Sequence, residues 1–417
     1  MFFQKITLKH VLILLGLIAA IAVVLICIYT TTTATALHRE SGESGEWLYN
    51  CTDESVDTSN STLKLVHIVL RHGARTPVTT YPNDPYVNET YSPYGWGHLT
   101  NRGKDELFQL GKWLRKRYGK FMEPYYSPDL VHAQSTGSPR TLMSLSTVLA
   151  SFFPPRGTPM EWNPEYNWQP IPIFTEPLEN DMLLLIRPSC PRFAEALEEV
   201  LQLPHVKAEL EQNKWLFENL TRIFGMPIES AQDVNLMYVT LEAQREYGLK
   251  LPEFVTEYFP EKMQHIAERS VTYNTYTREM LKIKSGPFVK KMFAEMIEKR
   301  KRKLQRKLYI YAAHDWTMGS LMAAVKVWKP QPLHFAVTII FELHQNQQTG
   351  DYYVQLYLRN RSCVELLDIP GCGTKCPLDK FIEMSADIIP NETHEERCKP
   401  INPDFKEPPP LVVESPK

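Results

Sequence analysis

The hydrophobic positions of this chain fall into patterns that change several times along its length. From Val11 to Tyr29 nineteen successive residues carry no charge, with Lys5, Lys9 and His10 before them and a Thr-rich stretch after. An apolar run of ~20 residues can span a bilayer, whereas a cleaved signal usually has a core of ~7–15. The pattern predicts a cytoplasmic tail over 1–10 and a transmembrane signal anchor over 11–29. Ala34-Thr35-Ala36 also matches a signal-peptidase site, so a cleaved signal peptide is the alternative. Either way the rest of the chain faces the lumen or the outside. Residues 37–61 are polar and rich in Ser, Thr and Glu, and are read as a stalk.

Beyond the stalk the period becomes that of a folded domain. Leu63 to Leu70 is almost continuously aliphatic and β-branched, which predicts a strand buried on both faces, stopped by Gly73 and Pro77. From Thr100 to Lys120 the residues Leu107, Leu110, Leu114 and Tyr118 recur at helical spacing, with Thr100 as N-cap. Leu130–Ala133 predicts a short strand, and Ser138 or Pro139 opens a helix that carries Arg140 in its first turn. The proline-rich stretch from Phe153 to Pro177 resists either element. Residues 178–304 then read as helices, over Pro191–Gln202, Lys207–Phe224, Ile228–Tyr247 and Phe288–Leu304. Lys307–Ala313 returns to strand and runs into His314-Asp315, and Phe335–Leu343 with Tyr352–Leu358 predicts a further hairpin.

Strand, helix, strand, helix, then a helical block and more strands predicts an α/β fold. Its core is expected over 62–177 and 305–400, with a mainly helical cap inserted over 178–304 and a Pro-rich tail over 401–417. The formal net charge of -2 argues against a nucleic-acid partner. The basic run Lys299–Lys303 is read as a solvated helix end complementing the helix dipole.

Two features agree with a secretory route. Asn-x-Ser/Thr acceptors for glycosylation stand at Asn50, Asn60, Asn88, Asn219, Asn360 and Asn391, all after the apolar segment. Cys27 lies within that segment, which leaves Cys51, Cys190, Cys363, Cys372, Cys376 and Cys398, an even number that predicts up to three disulfides. Cys372, Cys376 and Cys398 with His394 offer a structural zinc site as the alternative.

The chemistry gathers at the two strand ends. Arg71-His72 follows the first strand and His314-Asp315 the later one, which is where open α/β sheets bind ligands. Arg71, Arg75 and Arg140 add three guanidinium groups, whose fork of donors matches phosphate oxygens. No HExxH, DxDxT-like loop, metal-binding Asp/His cluster or GxxxxGK[ST] loop accompanies them, so neither a metal nor another cofactor is expected, and charge would be neutralised by the arginines.

The motif Arg71-His-Gly-Ala-Arg-Thr-Pro77, together with Ala313-His-Asp315, resembles the histidine acid phosphatases, particularly the prostatic and lysosomal types. The resemblance extends to Tyr94–Thr100 with Gly103, Ser135-Thr136, Arg140–Met143, Trp162–Pro164, Trp168–Pro172, Pro370–Cys372 and Cys376–Leu378, and spans about residues 62–400. It implies a mixed, mainly parallel sheet flanked by helices, as in the phosphoglycerate-mutase-like fold. Further, it implies that His72 is the nucleophile, that Asp315 protonates the leaving alcohol, and that Arg71, Arg75, Arg140 and His314 bind the phosphoryl oxygens. It pairs Cys372 with Cys376 and Cys190 with Cys398, leaving Cys51 and Cys363 to each other by elimination, and it implies a homodimer through Trp168–Ile173. The chain departs from the family at Ala74, where relatives often carry Asp, and at Gln134, where they often carry Arg.

The expected activity is therefore hydrolysis of phosphate monoesters at acid pH, in a lysosomal, cell-surface or secreted ectodomain. The alternatives are a catalytically weak cell-surface protein that binds a phosphate ligand and an inositol-polyphosphate-type phosphatase.

Overall fold

In the computed structural model residues 62–185 and 188–408 are described; the segment 11–29, the stalk, Asn50, Asn60, Cys51 and the end of the Pro-rich tail lie outside them. Strand β1 (Leu63–Arg71) is buried along its whole length except at Lys64, as its unbroken aliphatic run demands. Around it form β2 (Val131–Ser135), β3 (Leu308–Ala313), β4 (Thr338–Gln345), β5 (Tyr352–Asn360), β6 (Cys363–Leu366) and β7 (Cys376–Pro377). The sheet order is β2-β3-β1-β4-β5-β6, with β7 on β5. The β1–β3 and β2–β3 pairs are parallel and the others antiparallel. Thus β1, β2, β3 and β5 point one way and the sheet is mixed, with its parallel part on the side of the predicted strand ends. The predicted hairpin is β4–β5, in register from Thr338–Arg359 to Gln345–Tyr352.

Alternation along the strands divides their side chains between two apolar layers. Val66, Ile68, Leu70, Ile310 and Ile340 face α1 (Asn101–Tyr118) and α2 (Pro139–Phe152). Leu65, Val69, Tyr311, Ile339 and Phe341 form the other layer. The Thr100 side chain caps α1, its Oγ1 accepting from Gly103 N at 3.2 Å.

Helices α3 (Pro191–Leu201), α4 (Pro204–Gln212), α5 (Lys214–Phe224), α6 (Ala231–Tyr247), α7 (Glu253–Thr256) and α8 (Glu261–Asn274) share a third apolar cluster, including Leu216, Phe224, Leu241 and Met263, which Tyr81 and Met280 join. The single helix expected over 207–224 is two, because the chain turns at Asn213. After α9 (Arg278–Lys284), α10 (Gly286–Arg300) packs Phe288, Met292 and Met296 against the sheet. Its basic end closes the turn into β3: Lys299 Nζ donates to the carbonyls of Leu304, Gln305 and Arg306. α11 (Asp315–Ala324) follows β3 directly, and short helices α12 (Leu378–Glu383) and α13 (His394–Arg397) close the described chain.

Disulfides join Cys190 to Cys398 and Cys372 to Cys376, which occupies the three thiols that the zinc alternative required. Cys363 is also disulfide-bonded. Among the described residues no helix is long and apolar enough to cross a membrane.

Candidate active site

Register brings the two predicted strand ends together. Arg71 stands opposite Ala313 in the parallel β1–β3 pair, and His72 N donates to Ala313 O at 3.1 Å. The next residues on each strand, His72 and His314-Asp315, therefore share one edge of the sheet. Thr136, just past β2, donates its N–H to Ala312 O at 3.1 Å and brings the start of α2 with Arg140 to the same edge. All six residues singled out in the sequence meet here.

The loop after β1 is held by close backbone packing against α1. A Cβ on Gly103 would stand 2.1 Å from Ala74 O, and one on Gly73 would stand 2.7 Å from Gly103 O. Thr100 N and Oγ1 both donate to Ala74 O, at 3.0 and 3.2 Å, and Gly73 N donates to Ser144 Oγ at 3.2 Å. The peptide that carries His72 and Arg75 is thus wedged between two helices.

His72 is 2% exposed. Its Nδ1 lies 2.9 Å from Gly73 O, and a carbonyl can only accept, so Nδ1 carries the proton and Nε2 keeps its lone pair. Burial, then Arg140, Arg71, Arg75 and His314, push its pKa well below the usual histidine range. The imidazole stays neutral, and hence nucleophilic, in acid. Arg75 is lowered to about 9 by burial and by Arg140 and Arg71, and so remains cationic at any acid or neutral pH. Phe335 lies under both guanidinium groups, 4.4 Å from that of Arg71 and 5.9 Å from that of Arg75.

Arg71 is nearly inaccessible, with Nη2 2.9 Å from Asp315 Oδ2 and Nη1 bonded to Leu333 O. Its Nε and that of Arg75 are buried donors that meet no acceptor among the described residues. Buried N–H groups left without partners are costly unless an anion takes them. Burial raises the Asp315 carboxyl, but Arg71, His314, the Trp316 N–H bond at 2.8 Å and Arg75 outweigh it and hold the pKa below the usual range. His314 is set by Thr136, whose Oγ1 is 3.0 Å from Nε2, while Arg140 Nη2 lies 3.4 Å from Nδ1.

Reading the sequence missed Glu242, His334 and Phe335. Glu242, buried on α6, has its Oε2 4.0 Å from Arg71 Nη1 and its Oε1 3.4 Å from His334 Nδ1. Burial raises its pKa, but the His334 bond and Arg71 bring it below the ordinary value. Nothing in a helical repeat distinguishes such a residue from a surface glutamate. Thr136 belonged to the resemblance, but its hold on His314 appears only in three dimensions.

Beside these groups opens a cleft of about 470 Å³, counting its mouth, between the sheet edge and helices α6 and α8.

A neutral buried histidine ringed by guanidinium groups at the C-terminal edge of parallel strands defines a class of enzyme that handles phosphoryl groups. The chain belongs to the histidine phosphatase superfamily, branch 2, whose family model matches residues 62–359. It is 35% identical over 334 residues to prostatic acid phosphatase of Bos taurus, covering 78% of this chain and 85% of the relative. It is 32% identical over 345 residues to lysosomal acid phosphatase of Homo sapiens, covering 81% of each, and 33% identical over 339 residues to a venom acid phosphatase of Apis mellifera, covering 79% and 86%. Among solved structures it resembles the phytase of Citrobacter braakii, with a TM-score of 0.59 at 15% identity over 81% of this chain and 99% of that one, a likeness of fold.

Proposed function

We propose that this chain hydrolyses phosphate monoesters through a phosphohistidine on His72, with Asp315 as proton donor. The observation that carries the reading is the state of His72: buried, its Nε2 bare, and ringed by Arg71, Arg75 and Arg140. The acid phosphatases among its relatives support hydrolysis as the outcome.

In the first step Nε2 attacks phosphorus, the bond from phosphorus to the alcohol oxygen breaks, and Asp315 gives that oxygen its proton. The arginines stabilise the charge on the transferring group. Asp315 must be protonated to act. Ligand-free, it is kept ionised chiefly by Arg71; a bound phosphate diverts the Arg71 donors and adds a negative charge nearby, both of which raise the carboxyl pKa. Acid pH completes the protonation. Water then attacks phosphorus and passes a proton to Asp315, the bond from phosphorus to nitrogen breaks, and phosphate leaves.

The purified full-length protein should turn over p-nitrophenyl phosphate at about pH 5, and rapid quenching should trap labelled phosphate on His72. His72→Ala should lose both; turnover unchanged by that substitution ends the proposal.

Single-pass anchoring through 11–29, with a lysosomal or cell-surface ectodomain, is supported by the apolar run and the sequons. Sequencing the mature N-terminus tests it, since a start near residue 37 means cleavage. Asn88 and Asn391 are exposed, whereas the Asn360 amide donates to Pro332 O at 2.9 Å and a glycan there would leave it one N–H for that bond. A homodimer is supported by the exposed Trp162, Tyr166, Trp168 and Phe174 on the segment beside β2. Sedimentation at several concentrations tests it, and a mass of one chain throughout refutes it.

A further inference from the structure

The cleft that opens beside Asp315 is unlike the phosphate pocket in its charge. Arg71 is the one cation among the described residues that line it, and the phosphoryl reading commits Arg71 to the phosphate. The other walls carry two further carboxylates, Glu242 on α6 and Glu268 on α8, with the rings of Tyr238 and Trp316 between apolar side chains. Glu242 is already answered by His334 and Arg71. Glu268 is not balanced in that way: Gln264 Nε2 holds its Oε1 at 2.8 Å, and no other donor among the described residues reaches it. Burial raises its pKa, against the Gln264 bond and the charges of His265 and Arg269, neither of which lines the cleft.

Position gives this carboxylate a task. Asp315 stands at the boundary between the phosphate donors and the cleft, so an ester whose leaving oxygen faces Asp315 must send its alcohol portion into the cleft. We propose that the cleft is the leaving-alcohol subsite and that Glu268 makes it select alcohols bearing an ammonium group over alcohols bearing a second anion. When ionised, above its raised pKa, this half-buried carboxylate attracts a cation that aromatic faces can also hold, and it repels a phosphate or carboxylate in the same place. A substrate with phosphates around its whole rim, such as an inositol polyphosphate, meets like charge here. The inference rests on the reading of His72 and Asp315 above.

Three esters matched at two carbons test it with the full chain at about pH 7, above the ordinary carboxylate range: phosphoethanolamine, ethyl phosphate and phosphoglycolate, which carry an ammonium, no charge and a carboxylate. The quantity read is the ratio of kcat/KM between esters within one preparation, which cancels the fraction of folded enzyme. Comparing that ratio between variants cancels the esters' intrinsic reactivity. Glu268→Gln should lower the preference for phosphoethanolamine over ethyl phosphate by about threefold to fivefold, the scale of a partly exposed ion pair. Glu268→Lys should favour phosphoglycolate over ethyl phosphate relative to wild type. Ratios unchanged in both variants overturn the subsite. Failure on all three esters while p-nitrophenyl phosphate is still cleaved would overturn the subsite, whereas failure on p-nitrophenyl phosphate as well would overturn the phosphatase reading beneath it.

Discussion

Gly103→Ala is the most demanding test of how the site is held. In an open helix this exchange stabilises, by about 0.5–1 kcal/mol. Here the added Cβ would stand 2.1 Å from Ala74 O and 2.7 Å from Ala74 N, both backbone atoms that no rotamer change can move aside. Ordinary contact begins near ~3.5 Å, so the 73–76 loop must retreat by roughly 1 Å. That costs about 1–3 kcal/mol of overpacking, and the bonds from Thr100 to Ala74 O add about 1 kcal/mol when stretched. For a folded unit of about 350 residues, an unfolding entropy near 0.7 kcal/mol/K turns a cost of about 3 kcal/mol into a fall in Tm of about 4 °C. The moved loop carries His72 and Arg75, and a misplacement of about 1 Å can cost about 100-fold in rate. Differential scanning calorimetry and kcat/KM on p-nitrophenyl phosphate give both numbers. A Tm at or above that of wild type, with activity within twofold, would refute the argument that this glycine sets the catalytic loop.

Three other outcomes follow from single contacts. Glu342 is buried against Arg117 Nη2 at 2.7 Å, Tyr118 OH at 2.6 Å and His344 Nε2 at 3.0 Å, so Glu342→Ala takes the carboxylate away from a buried guanidinium, though Arg117 keeps its bond to Tyr118 OH, and should cost about 3–5 kcal/mol, read as a shift in denaturant midpoint. Burial raises the Glu342 pKa, but the His344 bond and Arg117 hold it below 4.5, so its stabilisation is full above 4.5 and is lost as pH falls through the lower folded value. The difference in stability between wild type and Glu342→Ala should then begin to shrink as pH falls below about 4.5 and be lost by the lower folded value; a gap that widens below 4.5 contradicts the sign. Asp315→Asn removes the proton donor and should slow an alkyl phosphate by about 10²–10⁴-fold, but p-nitrophenyl phosphate much less, because its phenolate leaves without a proton; equal losses on both esters would deny Asp315 that role.

Much of the architecture could be read from residue order alone, because it depends on local periods. The unbroken aliphatic run of β1 identifies a doubly covered strand, the spacing of Leu107, Leu110 and Leu114 identifies α1, and Thr100 marks its start by the capping bond it makes. The identities of Arg71, His72, Arg75, Arg140, His314 and Asp315 were equally legible, since reactive side chains at strand and helix ends stand out against apolar runs. Distance along the chain hid what lies between these pieces. That 242 residues separate His72 from His314 says nothing of the parallel register that seats Arg71 opposite Ala313 and makes them neighbours. The break at Asn213 escaped because a helix period continues across it. Glu242 and Glu268 were invisible for the same reason: each sits in an amphipathic helix where a glutamate is unremarkable, and only the packing of α6 and α8 over the sheet edge brings them to the wall of the cleft. Sequence, by local propensity and by the placing of rare side chains, determined which groups are available to the proposed site; the tertiary structure alone decided which charges surround them, because burial and through-space distance govern pKa and ligand choice, and neither is a property of adjacent residues.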